Sequence, residues 1–211
     1  MQKLILVGGG GHCKACIDII EETNQYDILG ILDQKVNVGK SVLGYKIIGT
    51  DDELETFAEE DIQFLITIGQ IKTAAVRVRI YGILTRCKAN IATIISPKAY
   101  VSKHALIQPG TIVMHGVTVN ADAKIGFNCI LNTGCVVEHD SIVGEHSHIS
   151  TNAIINGGCI IGTEVFIGSN ATVANHLNVS NSIIIGAGAV VTKDLSQVGI
   201  YVGNPLQKIK S

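Results

Sequence analysis

Residues 136–150, VVEHDSIVGEHSHIS, hold three of the chain's seven histidines, His139, His146 and His148, with three carboxylates, Glu138, Asp140 and Glu145. His139 stands between Glu138 and Asp140. A carboxylate that accepts a hydrogen bond from one imidazole nitrogen raises the basicity of the ring and fixes its tautomer, which suits general base chemistry. By spacing alone the same triplet also describes a solvated turn histidine beside two solvated acids. His104, His115 and His176 have no comparable company and read as surface or turn residues.

A second constellation lies near the start, in VGGGGHC at residues 7–13. Placed where a first strand turns into a first helix, the N–H groups of Gly9 to Gly11 and the helix N-terminus could cradle a phosphate. The spacing is not GxGxxG, and a tight strand-to-helix turn needs glycines even without a ligand. Asp33 ends the second apolar run, GILDQ, where an acid can accept hydrogen bonds from a ribose or base. Together the turn and the acid point to nucleotide binding, with an NAD enzyme as the alternative.

Six cysteines contain one close pair, Cys13 and Cys16, readable as a redox pair or as helix packing. Cys129, Cys135 and Cys159 share one phase of a six-residue repeat, where a small buried side chain suffices.

That repeat must position the histidines. From Ile95 to Val191 every sixth residue is Ile, Leu or Val. Seventeen successive hits have a chance probability on the order of one in 10^8 if roughly a third of positions are such residues. A period of six sets successive anchors 240° apart on a helix, which excludes an α-helical reading. The expected architecture is a parallel β-helix, three faces to a coil of eighteen residues, about 27 Å tall at ~4.8 Å per layer. Glycine follows the anchor at Gly126, Gly144, Gly162, Gly168 and Gly186 and is expected to relieve a left-handed corner. His139, two residues after anchor Val137, falls on a turn or outer surface. His146 and His148 fall about half a coil onward, so the three do not converge on a metal and none is expected.

Before residue 90 the periods change. KLILVGG, DILGILD and DIQFLITIG read as strands, HCKACIDIIEETNQ and the stretch from Gln70 to Cys87 as helices, which implies a small parallel sheet of the nucleotide-binding sort. The fold class is therefore an α/β Rossmann-like domain, residues 1–92, followed by a parallel β-helix of hexapeptide repeats with a C-terminal tail, residues 93–211, with the junction near 88–97 and Pro97; the left-handed sense of that helix is what the resemblance below implies. A net charge of -2 with no Lys/Arg run argues against nucleic acid or an anionic membrane as partner. No run of 18 apolar residues occurs, and MQKLILVGGGG lacks a signal-peptide cleavage pattern, so the expected location is cytoplasmic and the expected target a small molecule.

At these residues the chain resembles the left-handed β-helix acyltransferases, and more closely the sialic acid O-acetyltransferase and nucleotide-aminosugar N-acetyltransferase (PglD-like) family. The resemblance spans nearly the whole chain and is carried by the glycine turn ending in His12, ILD at Asp33, TIG at Gly69, LNTGCVVEHDSIVGEHSHIS, VFIGSNATV and GIYVGNPLQKI. It implies a homotrimer that binds acetyl-CoA between neighbouring prisms and a nucleotide-linked aminosugar on the N-terminal domain. His139 matches the family's general base and Asp140 the acid that strengthens it, a position where family members often carry glutamate. His148 matches a contact to the thioester region, Gly157 a backbone N–H for the oxyanion, and Ser169 and Ala187 further CoA contacts. Gly10, Gly11, His12, Asp33, Gly69 and Asn132 match substrate-binding positions. The implied activity is acetyl-CoA-dependent N-acetylation of a 4-amino-4,6-dideoxysugar nucleotide for bacterial surface glycans, by direct transfer, since the repeat assigns the nearest thiol, Cys135, to the interior. O-acetylation of sialic acid or a related sugar and a non-catalytic trimeric sugar-nucleotide scaffold are the alternatives.

Overall fold

The computed structural model describes residues 1–58 and 61–210. They form two compact units, Met1–Gly69 with Ala75–Pro97, and Gln70–Ala74 with the chain from Lys98 onward.

In the first unit the elements run β1 (Gln2–Val7), α1 (Gly11–Thr23), β2 (Tyr26–Leu32), β3 (Ser41–Val42), β4 (Tyr45–Gly49), α2 (Leu54–Phe57), β5 (Ile62–Ile66), α3 (Ala75–Arg86) and β6 (Asn90–Ile91). The sheet order is β3-β4-β2-β1-β5-β6. β1 pairs in parallel with β2 and β5, and among the described residues of this unit only β3 and β4 run antiparallel to each other. The central strand is buried on both faces, as its unbroken apolar run requires, with Leu4 to Val7 at most 1% exposed. α1 buries Cys13, Cys16, Ile17, Ile19 and Ile20, and α3 buries Arg77, Ile80 and Leu84. Two details differ from the sequence expectation. β4, YKIIG, extends the sheet beyond the three expected strands. The second long helix starts at Ala75 instead of Gln70, and the carbonyl of Gln70 is taken by a side chain, His148.

The second unit is a left-handed parallel β-helix. Two-residue strands recur every six residues and stack in parallel at a register of eighteen, as in Val119↔Val137, Ile125↔Val143 and Leu131↔Ile149. The anchors point inward, and every one from Val113 to Val191 is at most 1% exposed. The rhythm fails at its first beat: Ile95 is 40% exposed and belongs to the first unit, while its neighbour Ile94 is buried.

The glycines after the anchors have a different cause from the expected one. The left-handed backbone lies three residues after the anchor, at Asp122, Asn128, Asp140, His146, Asn152, Glu164, Asn170, His176 and Ser182, with φ between 52° and 60°, and at glycines such as Gly134 and Gly158. Glycine one residue after the anchor answers close stacking instead. A Cβ on Gly168 would sit 2.5 Å from Ala187 N, and one on Gly144 2.6 Å from Gly162 C, both in the next coil. The small position four after the anchor also does more than fit. Ser141 Oγ donates to Asn156 O at 2.9 Å and accepts from Cys159 N–H at 3.2 Å. Ser147 repeats this with Gly162 O and Val165 N–H. Cys129 and Cys159 donate to Gly144 O and Ala174 O at 3.2 and 3.0 Å. These side chains satisfy corner backbone groups that the ladders leave over.

Candidate active site

His139 follows strand Val136–Val137 and precedes the left-handed corner residue Asp140. The corner turns the short carboxylate back on its neighbour, so that His139 Nδ1 lies 2.7 Å from Asp140 Oδ2. A carboxylate accepts, so Nδ1 carries the proton and Nε2 presents a lone pair. The hydrogen bond to Asp140 is the largest influence and raises the ring above the ordinary histidine value; desolvation opposes it, and the charges of Asp140 and Glu138 add smaller upward contributions. Glu138 is held by Asn120 Nδ2 at 2.8 Å. The ring hangs over the next coil at Gly157, where a Cβ would come 2.7 Å from its Cε1 and 2.8 Å from its Nε2. The side chain of His139 is 60% exposed. Basicity, tautomer and access thus coincide at Nε2.

His148 is built differently. It lies on strand His148–Ile149 and is only 6% exposed. Its Nδ1 is 2.7 Å from Gln70 O, a carbonyl that can only accept, so Nδ1 is again the protonated nitrogen. Nε2 then accepts from Asn132 Nδ2 at 3.1 Å. Phe166 meets the ring edge-on at 5.2 Å. Asn132 Oδ1 in turn accepts from Thr133 N–H at 2.8 Å. His148 and Asn132 are therefore brought together; Gln70 and Phe166, which complete the cage, are residues no local sequence pattern singled out. His146 points elsewhere, pairing through Nδ1 with Asn128 at 2.9 Å. Among the described residues no group of three His, Cys, Asp or Glu is gathered as metal ligands.

Ser169 Oγ is 3.0 Å from Ser150 Oγ, and Gly188 N–H donates to Ser169 O at 2.9 Å. Ser169 and Ala187 stack eighteen residues apart, as His139 and Gly157 do. Twelve residues separate Gly157 from Ser169, so the two pairs occupy different corners of one prism. The structure does not bring the Ser169–Ala187 pair to His139 within a single chain.

In the first unit the glycine turn, Asp33 and Gly69 follow β1, β2 and β5, at the carboxyl ends where parallel sheets bind ligands. Gly8 has φ 107°, and Gly10 caps α1 without a side-chain acceptor. A Cβ on Gly10 or Gly11 would meet nothing within 4 Å, whereas one on Gly9 would reach Asp33 Oδ2 at 2.9 Å. Asp33 also accepts from Asn37 Nδ2 at 2.9 Å. Gly69 faces His12, and His12 Nε2 contacts Cys16 Sγ at 3.6 Å. Both thiols of the close cysteine pair are buried and free; burial pushes Cys13 up to about 11 and Cys16 higher still, which makes them packing groups instead of a reactive pair.

The PglD N-terminal domain family matches residues 3–83, and the bacterial transferase hexapeptide (six repeats) family matches residues 140–175. The chain thus resembles the PglD N-terminal domain in its first part and the hexapeptide-repeat transferases in its second. Among similar solved structures, the acetyltransferase domain of PglB from Neisseria gonorrhoeae FA1090 is 28% identical, with a TM-score of 0.92 over 99% of this chain and 100% of that one; it has also been solved with acetyl coenzyme A. PerB from Caulobacter crescentus, solved with CoA and GDP-perosamine, is 29% identical, with a TM-score of 0.90 over 98% of this chain and 97% of that one. A curated relative, UDP-N-acetylbacillosamine N-acetyltransferase of Bacillus subtilis, is 32% identical over 119 residues, 54% of this chain and 52% of the relative. The match thus spans about half the length of that relative.

Proposed function

We propose that this PglD-like protein is an acetyl-CoA-dependent N-acetyltransferase acting on the amine of a nucleotide-linked aminosugar. The observation that carries the reading is the His139–Asp140 pair, with Nδ1 bonded at 2.7 Å and the opposite nitrogen exposed over Gly157. The relatives solved with acetyl coenzyme A, CoA and GDP-perosamine support the substrate classes. In this reading residues 1–92 hold the nucleotide and residues 93–211 carry out the transfer. The sugar amine attacks the thioester carbonyl while His139 Nε2 takes its proton. The tetrahedral intermediate collapses, the C–S bond breaks, and the imidazolium returns the proton to the departing CoA thiolate. Gly157 N–H is placed to bind the oxyanion, His148 and Asn132 to orient the reacting groups, and Ser169 and Ala187 to contact CoA on the second of two neighbouring prisms. In this reading the working form is a homotrimer, with a neighbouring copy completing the site because the two corners lie on different edges of one prism. Among the described residues no helix is long and apolar enough to cross a membrane, and the proposed setting is cytoplasmic supply of acetylated sugar nucleotides to surface glycans.

The test is release of CoA thiol from acetyl-CoA against a panel of UDP-, dTDP- and GDP-linked 4-amino-4,6-dideoxysugars. Turnover with at least one, and mass gain of one acetyl on the amine, is the expected result. Thiol release with none of the panel, from folded protein, would overturn it.

A further inference from the structure

Helix α3, which follows the loop after β5, carries the least expected side chain of the first unit. Arg77, on the first turn of α3, is 1% exposed and heads the fully buried side chains by volume. Its Nη1 donates to Ile66 O at 3.1 Å and to Ile68 O at 2.7 Å. A cation here is unfavourable twice over: the first turn is the positive end of the helix dipole, and a buried charge loses its hydration. Methionine or leucine would fill the same space without either cost. What an apolar residue cannot supply is a rigid guanidinium that holds two alternate carbonyls of one loop.

The residue between those carbonyls is fixed from the opposite side. Thr67 N–H donates to Val7 O at 2.9 Å, and the buried Thr67 hydroxyl is shared between Val7 O at 3.1 Å and Gly8 O at 2.6 Å. Ile68 then presses so closely on the glycine turn that a Cβ on Gly8 would stand 2.3 Å from its Cγ1. Next along, Gly69 faces His12, whose Cβ would lie 3.7 Å from a Cβ at 69. Two loops that carry every first-unit candidate except Asp33 are thereby joined into one clasp, and Arg77 holds that clasp from the protein side.

We propose that Arg77 is a positioning residue for the nucleotide-sugar site: through the carbonyls of Ile66 and Ile68 its guanidinium sets Thr67–Gly69 against Gly8–His12, fixing the geometry in which both loops meet the substrate. The inference rests on the reading of residues 1–92 as the nucleotide-holding domain. Arg77 itself is buried beneath the loop and acts only through it. Removing its donors frees the loop, so the effect falls on nucleotide affinity and leaves the prism's acetyl-CoA chemistry intact.

The experiment titrates UDP, dTDP and GDP calorimetrically into the full-length wild type, R77M, R77K and T67V, with steady-state kinetics in parallel. R77M should weaken binding of the preferred nucleotide, and raise KM for its aminosugar, by about 10-fold or more, with kcat and the KM for acetyl-CoA within about twofold of wild type. R77K, which keeps one donor group, should recover part of the loss, and T67V should shift affinity in the same direction by less. Hydrogen exchange should quicken at residues 66–69 and 8–12 in R77M and not in the prism. Unaltered nucleotide affinity in R77M, or a joint fall of kcat and both affinities with melting temperature, would overturn the proposal. Should R77M fail to fold, unaltered affinity in both R77K and T67V would do the same. Wild-type protein that binds none of the three nucleotides would remove the nucleotide reading itself, a result distinct from wild-type binding that R77M retains.

Discussion

His139 and His148 lie nine residues apart on the same repeat, share the same protonated nitrogen, and have opposite surroundings. At His139 one nitrogen is bonded to Asp140 and the side chain is 60% exposed, with its other edge over Gly157. At His148 both nitrogens are spoken for, by Gln70 O and Asn132 Nδ2, and the ring is buried edge-on to Phe166. The difference separates a group free to move a proton from a group whose value is its fixed position. A prism made of rigid rungs can offer both because the corner residue leaves the ladder while the strand residue stays in it.

Substitution is expected to split the two. His139→Ala should lower kcat by about 10^2-fold or more, the scale of general base catalysis, with melting temperature unchanged because the ring is exposed. Loss of stability comparable to that of a buried residue would erase the contrast. His148→Ala should cost about 1–3 kcal/mol in denaturant unfolding, since it strands the Gln70 carbonyl and the Asn132 amide in a buried setting; a variant as stable as wild type would mean that the cage is slack. Gly168→Ala, on the stacking side of the prism, should cost a similar amount, about 1–3 kcal/mol, because the added methyl meets the backbone of the next coil. Gly157→Ala sharpens the comparison from the catalytic side. There the methyl meets only the far end of the exposed His139 side chain, so the fold should persist within about 1 kcal/mol while kcat drops by about 10-fold through displacement of the ring. A Gly157→Ala variant with wild-type kcat would show that the ring's place over Gly157 is immaterial.

The prism was legible because its constraint is periodic: each anchor from Val113 onward obeys the same inward geometry. The His139–Asp140 contact was legible because the residues are adjacent. The left-handed corner lies two residues beyond the glycines that follow the anchors, since glycine marks both left-handed turns and close stacking, and only the folded structure separates Gly134, with φ 69°, from Gly168, which faces the Ala187 backbone. Gln70 and Arg77 were invisible for a different reason. Gln70 acts through a main-chain carbonyl that any residue possesses, and Arg77 looks like a surface helix arginine until its bonds to Ile66 and Ile68 are seen. Asn120, which holds Glu138, likewise reaches across eighteen residues with no local mark.

Proton affinity at His139 ties the corner geometry to the chemistry. Because the folded ring is raised above its ordinary value, any stabilisation from the Asp140 pair is present below about pH 6.5 and fades as pH rises through the folded pKa, a small effect for two exposed groups. Catalysis runs the other way, requiring the deprotonated ring. The decisive measurement is kcat/KM against pH for wild type and Asp140→Asn, an exchange that preserves the left-handed corner. Wild type should lose activity on the acid side with an apparent pKa above about 6.5, and Asp140→Asn should move that limb to lower pH while lowering the plateau. A limb that stays in place when Asp140 loses its charge would contradict the assignment of His139 as the base.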